Sequence, residues 1–420
     1  MAALPPEGLT ENSQGALSIL IVGAGIGGLS AAIALRNVGH RVLDKSDLAN
    51  DTGAAIHLCP NANGILRRWG VMGETFGACV LSRFVERAMD GNILKDVDLT
   101  ESNARWPHPW HLVRRAALHR ELKRIATAED GPGIPVTVVP RTRVDKVAPE
   151  LGLVTLESDQ ELKAHLVIGA DGIYSTTRKA ITGKADLNHT GKAAFRFVLP
   201  RVAAELNPLT VALANQHDTF TVWFGKDRRV VMYSCDDNAL LNFVCIYPES
   251  ESSTPATDGT PRQGWSGDAT REIVLNVFRD FDPHLKALIA IADPPSIKVW
   301  PLLDMRPLVD WSRDKLVLIG DAAHPCLPYQ AQGAAQAIED AASLAAVLPI
   351  GTPPAEVPRR LALFRDFRFG RTVKIQEYSR LMGRDWDVRA YEAYNFDHDE
   401  IANSAALFKK WEEDQLREES

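Results

Sequence analysis

The chain has 420 residues, 45% of them apolar and 24% charged, the balance of a globular protein of two or three domains with a sizeable core. Its net charge of −7 argues against a nucleic-acid binder, whose affinity rests on clustered Lys and Arg, and no stretch reaches the ~18 apolar residues of a membrane span. Five widely spaced cysteines without a C-x-x-C pattern argue against a disulfide framework or a zinc site.

Residues 1–17 read as a flexible arm without the basic and apolar regions of a signal peptide, so a cytoplasmic protein is expected. Ser18–Val22 is a β-branched apolar run, suited to a buried parallel strand. It runs into Gly23-Ala24-Gly25-Ile26-Gly27-Gly28 and then a helix-forming run, Leu29–Leu35. Gly39-His40 breaks that helix, and Arg41–Leu43 is a short second strand closed by an acid, Asp44. This is the pattern of a dinucleotide cradle. Gly23 allows the tight turn, Gly25 lets a pyrophosphate approach the backbone, Gly28 lets helix pack on strand, and Asp44 faces a ribose.

A turn-rich segment at Asn50–Asn63 precedes a helix over Ala62–Trp69, and Phe84–Leu99 suggests strands. His111–Leu118 opens a helix ending near Ala128. His108 and His111 are three apart, but the flanking Pro107 and Pro109 argue against a helical metal pair, and no metal is expected. Val136–Val139, Val144–Val147 and Leu153–Leu156 read as a meander. Leu166–Ile168 is an apolar strand ending in Gly169-Ala170-Asp171-Gly172.

Strands at Ala193–Val198, Thr219–Phe224, Arg229–Tyr233 and Leu241–Tyr247 then predict an antiparallel sheet inserted in the α/β domain. A long polar loop, Pro248–Asp268, leads to a helix over Arg271–Ala290 and a strand at Val299–Pro301. Leu316–Ile319 is a third apolar strand, ending in Gly320-Asp321-Ala322-Ala323-His324-Pro325. Helices are expected over Gln332–Leu348 and Leu361–Leu381. The fold class is therefore α/β, with a discontinuous Rossmann-type domain (18–185 and 296–350), an inserted substrate-binding sheet domain (186–295) and a C-terminal helical region (351–420).

Ligands bind outside the carboxyl ends of strands in such sheets, and three Gly/Asp turns can line one long ligand such as a flavin dinucleotide. The turns GAGIGG (Gly23–Gly28), GADGIYSTTR (Gly169–Arg178) and GDAAHPCLPYQAQGAAQAIEDAASL (Gly320–Leu344) together resemble the group A flavoprotein monooxygenases, the p-hydroxybenzoate and salicylate hydroxylase type. The likeness runs from about Ile19 to Arg380 and is strongest to fungal secondary-metabolism members. It implies an FAD-dependent, NAD(P)H-consuming enzyme that uses O₂ and a flavin C4a-hydroperoxide to hydroxylate a small phenolic aromatic. By the same resemblance Gly23, Gly25 and Gly28 line the FAD pyrophosphate and Asp44 stands where the ribose-binding acid, usually Glu, is found. Arg115 matches an arginine that touches FAD, with Ala117 in place of the usual acid. Asp171 belongs to a motif serving FAD and NAD(P)H, Gly320 and Asp321 hold the flavin's ribityl or pyrophosphate end, and Pro325 lies near its reactive edge. The helix beginning near Gly333 offers its N-terminus to the negative charge of reduced flavin.

On the substrate side, Arg196 is a charge within an apolar strand, and period-2 alternation puts it opposite Phe195 and Phe197. Tyr233 ends a neighbouring strand, and similar fungal hydroxylases place an Arg and a Tyr of this sheet on the substrate, though Ser234 replaces their usual Pro. His57 follows the GAAI turn within reach of the flavin ring, Trp223 is a sheet-packing or pocket residue, and His324 is structural. The second strand is two residues shorter than in relatives, about 6–7 Å, so a long or water-bridged ribose contact and loosely held FAD are expected. Two alternatives stand beside hydroxylation: an epoxidase of an alkene or indole, and a non-catalytic flavin-binding protein. The assembly is expected to be a monomer or homodimer.

Overall fold

The computed structural model describes residues 17–36, 40–46, 54–183, 187–251, 267–383 and 389–418. The expected N-terminal arm up to residue 16, the helix break at Gly39, residues 50–53 of the turn-rich segment and residues 252–266 of the polar loop lie outside these.

A parallel sheet forms the centre of the cofactor half. Its strands run in the order Ser312–Arg313, Leu316–Leu318, Leu166–Gly169, Ile19–Val22, His40–Leu43 and Thr137–Val139, all parallel but the first. Successive residues of the central strands enter two different cores. Ile19, Ile21 and Ile168 pack toward the helices Ile26–Ala34 and Gly333–Val347, while Leu20, Val22 and Val167 pack toward a small antiparallel sheet of Val144–Ala148, Leu153–Leu156 and Glu161–Lys163. Burial on both faces explains why these strands read as unbroken apolar runs. The register pairs Val22 with both Gly169 and Leu43, and Gly169 with Leu318. The three Gly/Asp turns therefore leave the sheet at one edge and at one level.

The second half is an eight-stranded sheet, ordered Gly267–Asp268, Lys298–Met305, Leu187–Pro200, Leu240–Pro248, Arg229–Cys235, Thr219–Phe224, Arg83–Ala88 and Ile93–Asp98. All of its pairs are antiparallel except Thr219–Phe224 against Arg83–Ala88. One face packs on helices through Phe195, Phe197, Trp223 and Phe243. The other faces the cofactor half. No described helix is long and apolar enough to cross a membrane.

Three local expectations are corrected. His111–Arg114 is a strand paired with Ala55–Leu58, and the helix starts only at Arg115. Thr137–Val139 leaves the meander and joins the parallel sheet. Arg271–Ala290 is two helices, Arg271–Val277 and Pro283–Ile291, because Asp282 caps the second through its side chain and Pro283 occupies the first helical position.

The C-terminal helices Val357–Met382 and Glu400–Glu418 close over the helix Gly333–Val347 through a buried ionic network. Arg368 donates to Asp340 at 2.9 Å and to Glu339 and Glu400 at 2.7 Å, and Arg371 donates to Glu339 at 2.7 Å. Burial pushes the Glu339 carboxyl up, but Arg371 and Arg368 outweigh it and hold the group well below the usual range. Glu339, His398 and Glu400 lie close enough together to hold an ion, yet the two guanidinium groups already supply the positive charge there.

Candidate active site

The glycine turn is built by close approach. Gly23 has a φ of +104°, and a Cβ there would sit 2.4 Å from the Ala170 carbonyl oxygen. A Cβ on Gly28 would sit 1.9 Å from the Gly23 carbonyl oxygen, so helix and strand touch through this pair. Gly25 and Gly333, by contrast, have nothing within 4 Å of an added Cβ, and both line a cavity of about 460 Å³. The helix Ile26–Ala34 has neither a capping side chain nor an acidic residue in its first turn, so its N–H groups are left for a phosphate.

Asp44 Oδ2 accepts the Ala24 N–H at 2.7 Å, while its Oδ1 accepts from the Ser46 N–H at 2.7 Å and the Ser46 hydroxyl at 2.6 Å. His119 grips the same residue from the other side, donating Nε2–H to the Ala24 carbonyl at 2.7 Å. His119 was missed in the sequence. Its signal was position, four residues after Arg115 and so on the same helical face.

Arg115 and Asp321 both line the cavity. Burial lowers the pKa of Arg115, with the attraction of Asp321 opposing it. Asp321 is exposed to the cavity, but the protein packed around its carboxyl raises it above its ordinary value, opposed by His324, Arg115 and Arg178. Gly320 lines the cavity with a φ of +56°, its N–H donating to Asp340 at 2.8 Å.

Asp171 is not among the lining residues, although Ala170 and Gly172 are. Its carboxylate accepts from the Ser175 and Thr177 hydroxyls at 2.6 Å and from the Thr176 and Thr177 N–H groups at 2.7 and 2.9 Å, which shapes the loop and caps the next helix. Pro325 is likewise buried outside the lining, its carbonyl accepting from Gln376 at 2.9 Å. His324 bonds Asp340 at 2.7 Å, and Trp223 lies in the helix-side core.

The cavity continues from the glycines onto the inner face of the large sheet. Register sets Arg196 beside Val244, Val244 beside Val231, and Tyr233 beside Phe220. Arg196 thus faces the cavity, while Phe195 and Phe197 lie in the opposite core. Among the described residues its Nε is buried without a hydrogen-bond partner. Burial lowers the pKa of Arg196, opposed by Tyr233 and reinforced by Arg115. Burial pushes the Tyr233 phenol well up, with Arg196 opposing. The far end is closed by Tyr391, Glu392 and Phe396, from a stretch in which the sequence showed no clear pattern.

FAD fits this arrangement. Glycines with open space beyond them, an uncapped helix start and a buried guanidinium atom without a partner are what a phosphate-bearing, ring-shaped cofactor and its substrate require.

Comparison with known proteins agrees. A family model described as FAD binding domain matches residues 16–350. The FAD-dependent monooxygenase cfoG of Aspergillus candidus is 33% identical over 387 residues, covering 90% of this chain and 87% of that one. Hispidin-3-hydroxylase of Neonothopanus nambi is 30% identical over 373 residues, covering 85% and 86%. The crystal structure of CtdE in complex with FAD shares the fold with a TM-score of 0.77 at 22% identity, over 94% of this chain and 98% of that one. The chain therefore belongs to the group A, p-hydroxybenzoate hydroxylase-like family of FAD-dependent aromatic monooxygenases, close to its fungal secondary-metabolism members.

Proposed function

We propose that the protein hydroxylates a small phenolic aromatic, with NAD(P)H and O₂ as co-substrates. In this reading residues 18–185 and 296–350 hold the cofactor and 186–295 hold the substrate, with the hairpin Arg83–Asp98 and the strand Lys298–Met305 lent to the substrate side. When bound, FAD supplies the redox chemistry, accepting reducing equivalents from NAD(P)H and passing one oxygen atom of O₂ to the ring.

The residues of this chain bind, orient and exclude water. Gly25 and the helix start at Ile26 receive the pyrophosphate on the turn that Gly23 and Gly28 close, and Asp44 lies at the ribose end. Arg115, Gly320 and Asp321 flank the middle of the cofactor, and the Gly333 helix start faces its ring. Asp171 acts through the loop that it shapes, and Pro325 through the backbone that Gln376 fixes. A phenol reacts best as its phenolate. Arg196 is the cation that favours the ionised form and holds its oxygen, and the nearby Tyr233 oxygen can accept from a second hydroxyl.

The observation that carries this reading is Arg196: a guanidinium whose Nε is buried without a partner among the described residues, on the sheet face that runs into the cofactor cradle. The test is a panel of phenols with FAD-loaded protein, following NAD(P)H consumption and product mass together. Substrate-stimulated consumption with a product one oxygen heavier is expected. Bound FAD with no such turnover on any phenol sinks the reading.

A further inference from the structure

His57 lines the cavity from the short strand Ala55–Leu58, 9% exposed, and its ring is held on three sides. Tyr233 lies edge-on with ring centroids 4.6 Å apart, Phe220 edge-on at 5.2 Å, and Trp110 tilted at 5.7 Å. The Trp110 Nε1–H donates to His57 Nδ1 at 3.1 Å. An indole nitrogen has no lone pair to offer, so this bond has only one direction. Nδ1 is bare, and the neutral ring carries its proton on Nε2. Trp110 is itself fixed from behind by Phe396, 4.9 Å between centroids.

Among the described residues no acceptor takes the Nε2–H. The other polar hydrogen beside it is committed, because the Tyr233 hydroxyl donates to the Ala55 carbonyl at 2.7 Å and can only accept from a ligand. His57 is nine-tenths buried as a residue and lines the cavity, so a ligand that fills the cavity must offer this N–H an acceptor or leave it unpaired at a cost. The ring is also kept uncharged, since burial lowers its pKa to about 3.

We propose that His57 is a specificity determinant that donates its Nε2–H to an uncharged acceptor oxygen of the aromatic substrate, with Trp110 as the positioning residue that fixes the donor tautomer. The preferred substrate class is then a phenol carrying a second oxygen function such as a carbonyl: the anionic oxygen goes to Arg196 and the neutral one to His57. This rests on the hydroxylase reading above and extends it.

The test uses the FAD-loaded full chain with resorcinol and 2,4-dihydroxybenzaldehyde, which differ by one carbonyl. Kd is read from the change in flavin absorbance. Wild type is expected to bind the aldehyde about tenfold tighter or more. His57→Leu removes that preference, and His57→Gln, which keeps a donor, restores part of it. Nitrogen-15 NMR of the histidines, needing no turnover, is expected to show His57 as the Nε2–H tautomer in wild type and as a mixture in Trp110→Phe. Equal affinity for the two probes in wild type, binding of neither, or an Nδ1–H tautomer overturns the proposal. Preferential binding of the aldehyde without any NAD(P)H-dependent product overturns the hydroxylase reading instead, so the two failures are told apart.

Discussion

Asp44 accepts the Ala24 N–H at 2.7 Å, so the acid at the end of the second strand is a staple of the glycine turn before it is a ligand for anything else. With Ser46 also bonded to it twice, three of its roughly four acceptor positions are filled from its own chain. A ribose can claim about one. We expect FAD to be held loosely: gel filtration of diluted holoprotein should return partly apo material. Stoichiometric FAD after extensive dilution contradicts this.

Two glycines of the same turn should fail in different ways. Gly28→Ala places a methyl 1.9 Å from a backbone oxygen, and the turn cannot form around it. We expect a stability loss of several kcal/mol, on the order of an overpacked core, together with loss of FAD. Gly25→Ala meets nothing within 4 Å, so the apoprotein should melt as wild type while FAD affinity falls because the pyrophosphate can no longer approach. Urea midpoints and FAD titration of both variants separate the two cases.

Arg196→Ala should leave FAD affinity within about threefold and lower kcat/KM for the phenol by roughly 10- to 100-fold, the worth of one charged hydrogen bond. Equal product yield in that variant removes Arg196 from the site.

Arg368→Met leaves Glu339, Asp340 and Glu400 buried with one cation fewer. Breaking a buried ion pair in this way costs about 3–5 kcal/mol. A urea midpoint unchanged from wild type would show that the network is solvated in solution.

Acid should destabilise the fold through two buried histidines. Burial lowers His57 to about 3 and His111 to about 4, the latter opposed by Glu74. Between those values and the ordinary 6.5, the unfolded chain binds protons that the folded chain refuses. Stability from this source is therefore complete above about pH 6.5 and falls on acidification, by up to ~1.4 kcal/mol per pH unit for each ring. His111→Gln should flatten the decline between pH 6.5 and pH 4.5 relative to wild type in urea unfolding. An identical slope would mean that His111 is protonated in the folded state.

What could be read in the sequence was local. Each of the three Gly/Asp turns is a strand end followed by a handful of residues, and the chemistry of a turn is contained in those residues. Arg196 was visible because a charge interrupts apolar alternation. The role of His57 was not, because Trp110, which sets its tautomer, lies 53 residues away and the two meet only through the pairing of Ala55–Leu58 with His111–Arg114. That same pairing is why His111–Arg114 is a strand and not the start of a helix: its local sequence suits either structure, and tertiary contact decided. The shared grip of Arg368 on Glu339, Asp340 and Glu400 spans three helices, and no spacing within one of them announces it.

That grip also sets an order of events during synthesis. The helix whose first residue lines the cavity, Gly333–Val347, carries Glu339 and Asp340 on its buried side, and Ser343 meets Ser404 at 2.8 Å. Until Glu400 and Ser404 have left the ribosome, Arg368 lacks one of its three acid partners and the back of that helix lacks its cover. A nascent chain can have every cofactor-contacting residue exposed and still hold no finished site. The setting of the cavity-lining helix thus depends on Glu400 and Ser404, which do not line the cavity themselves.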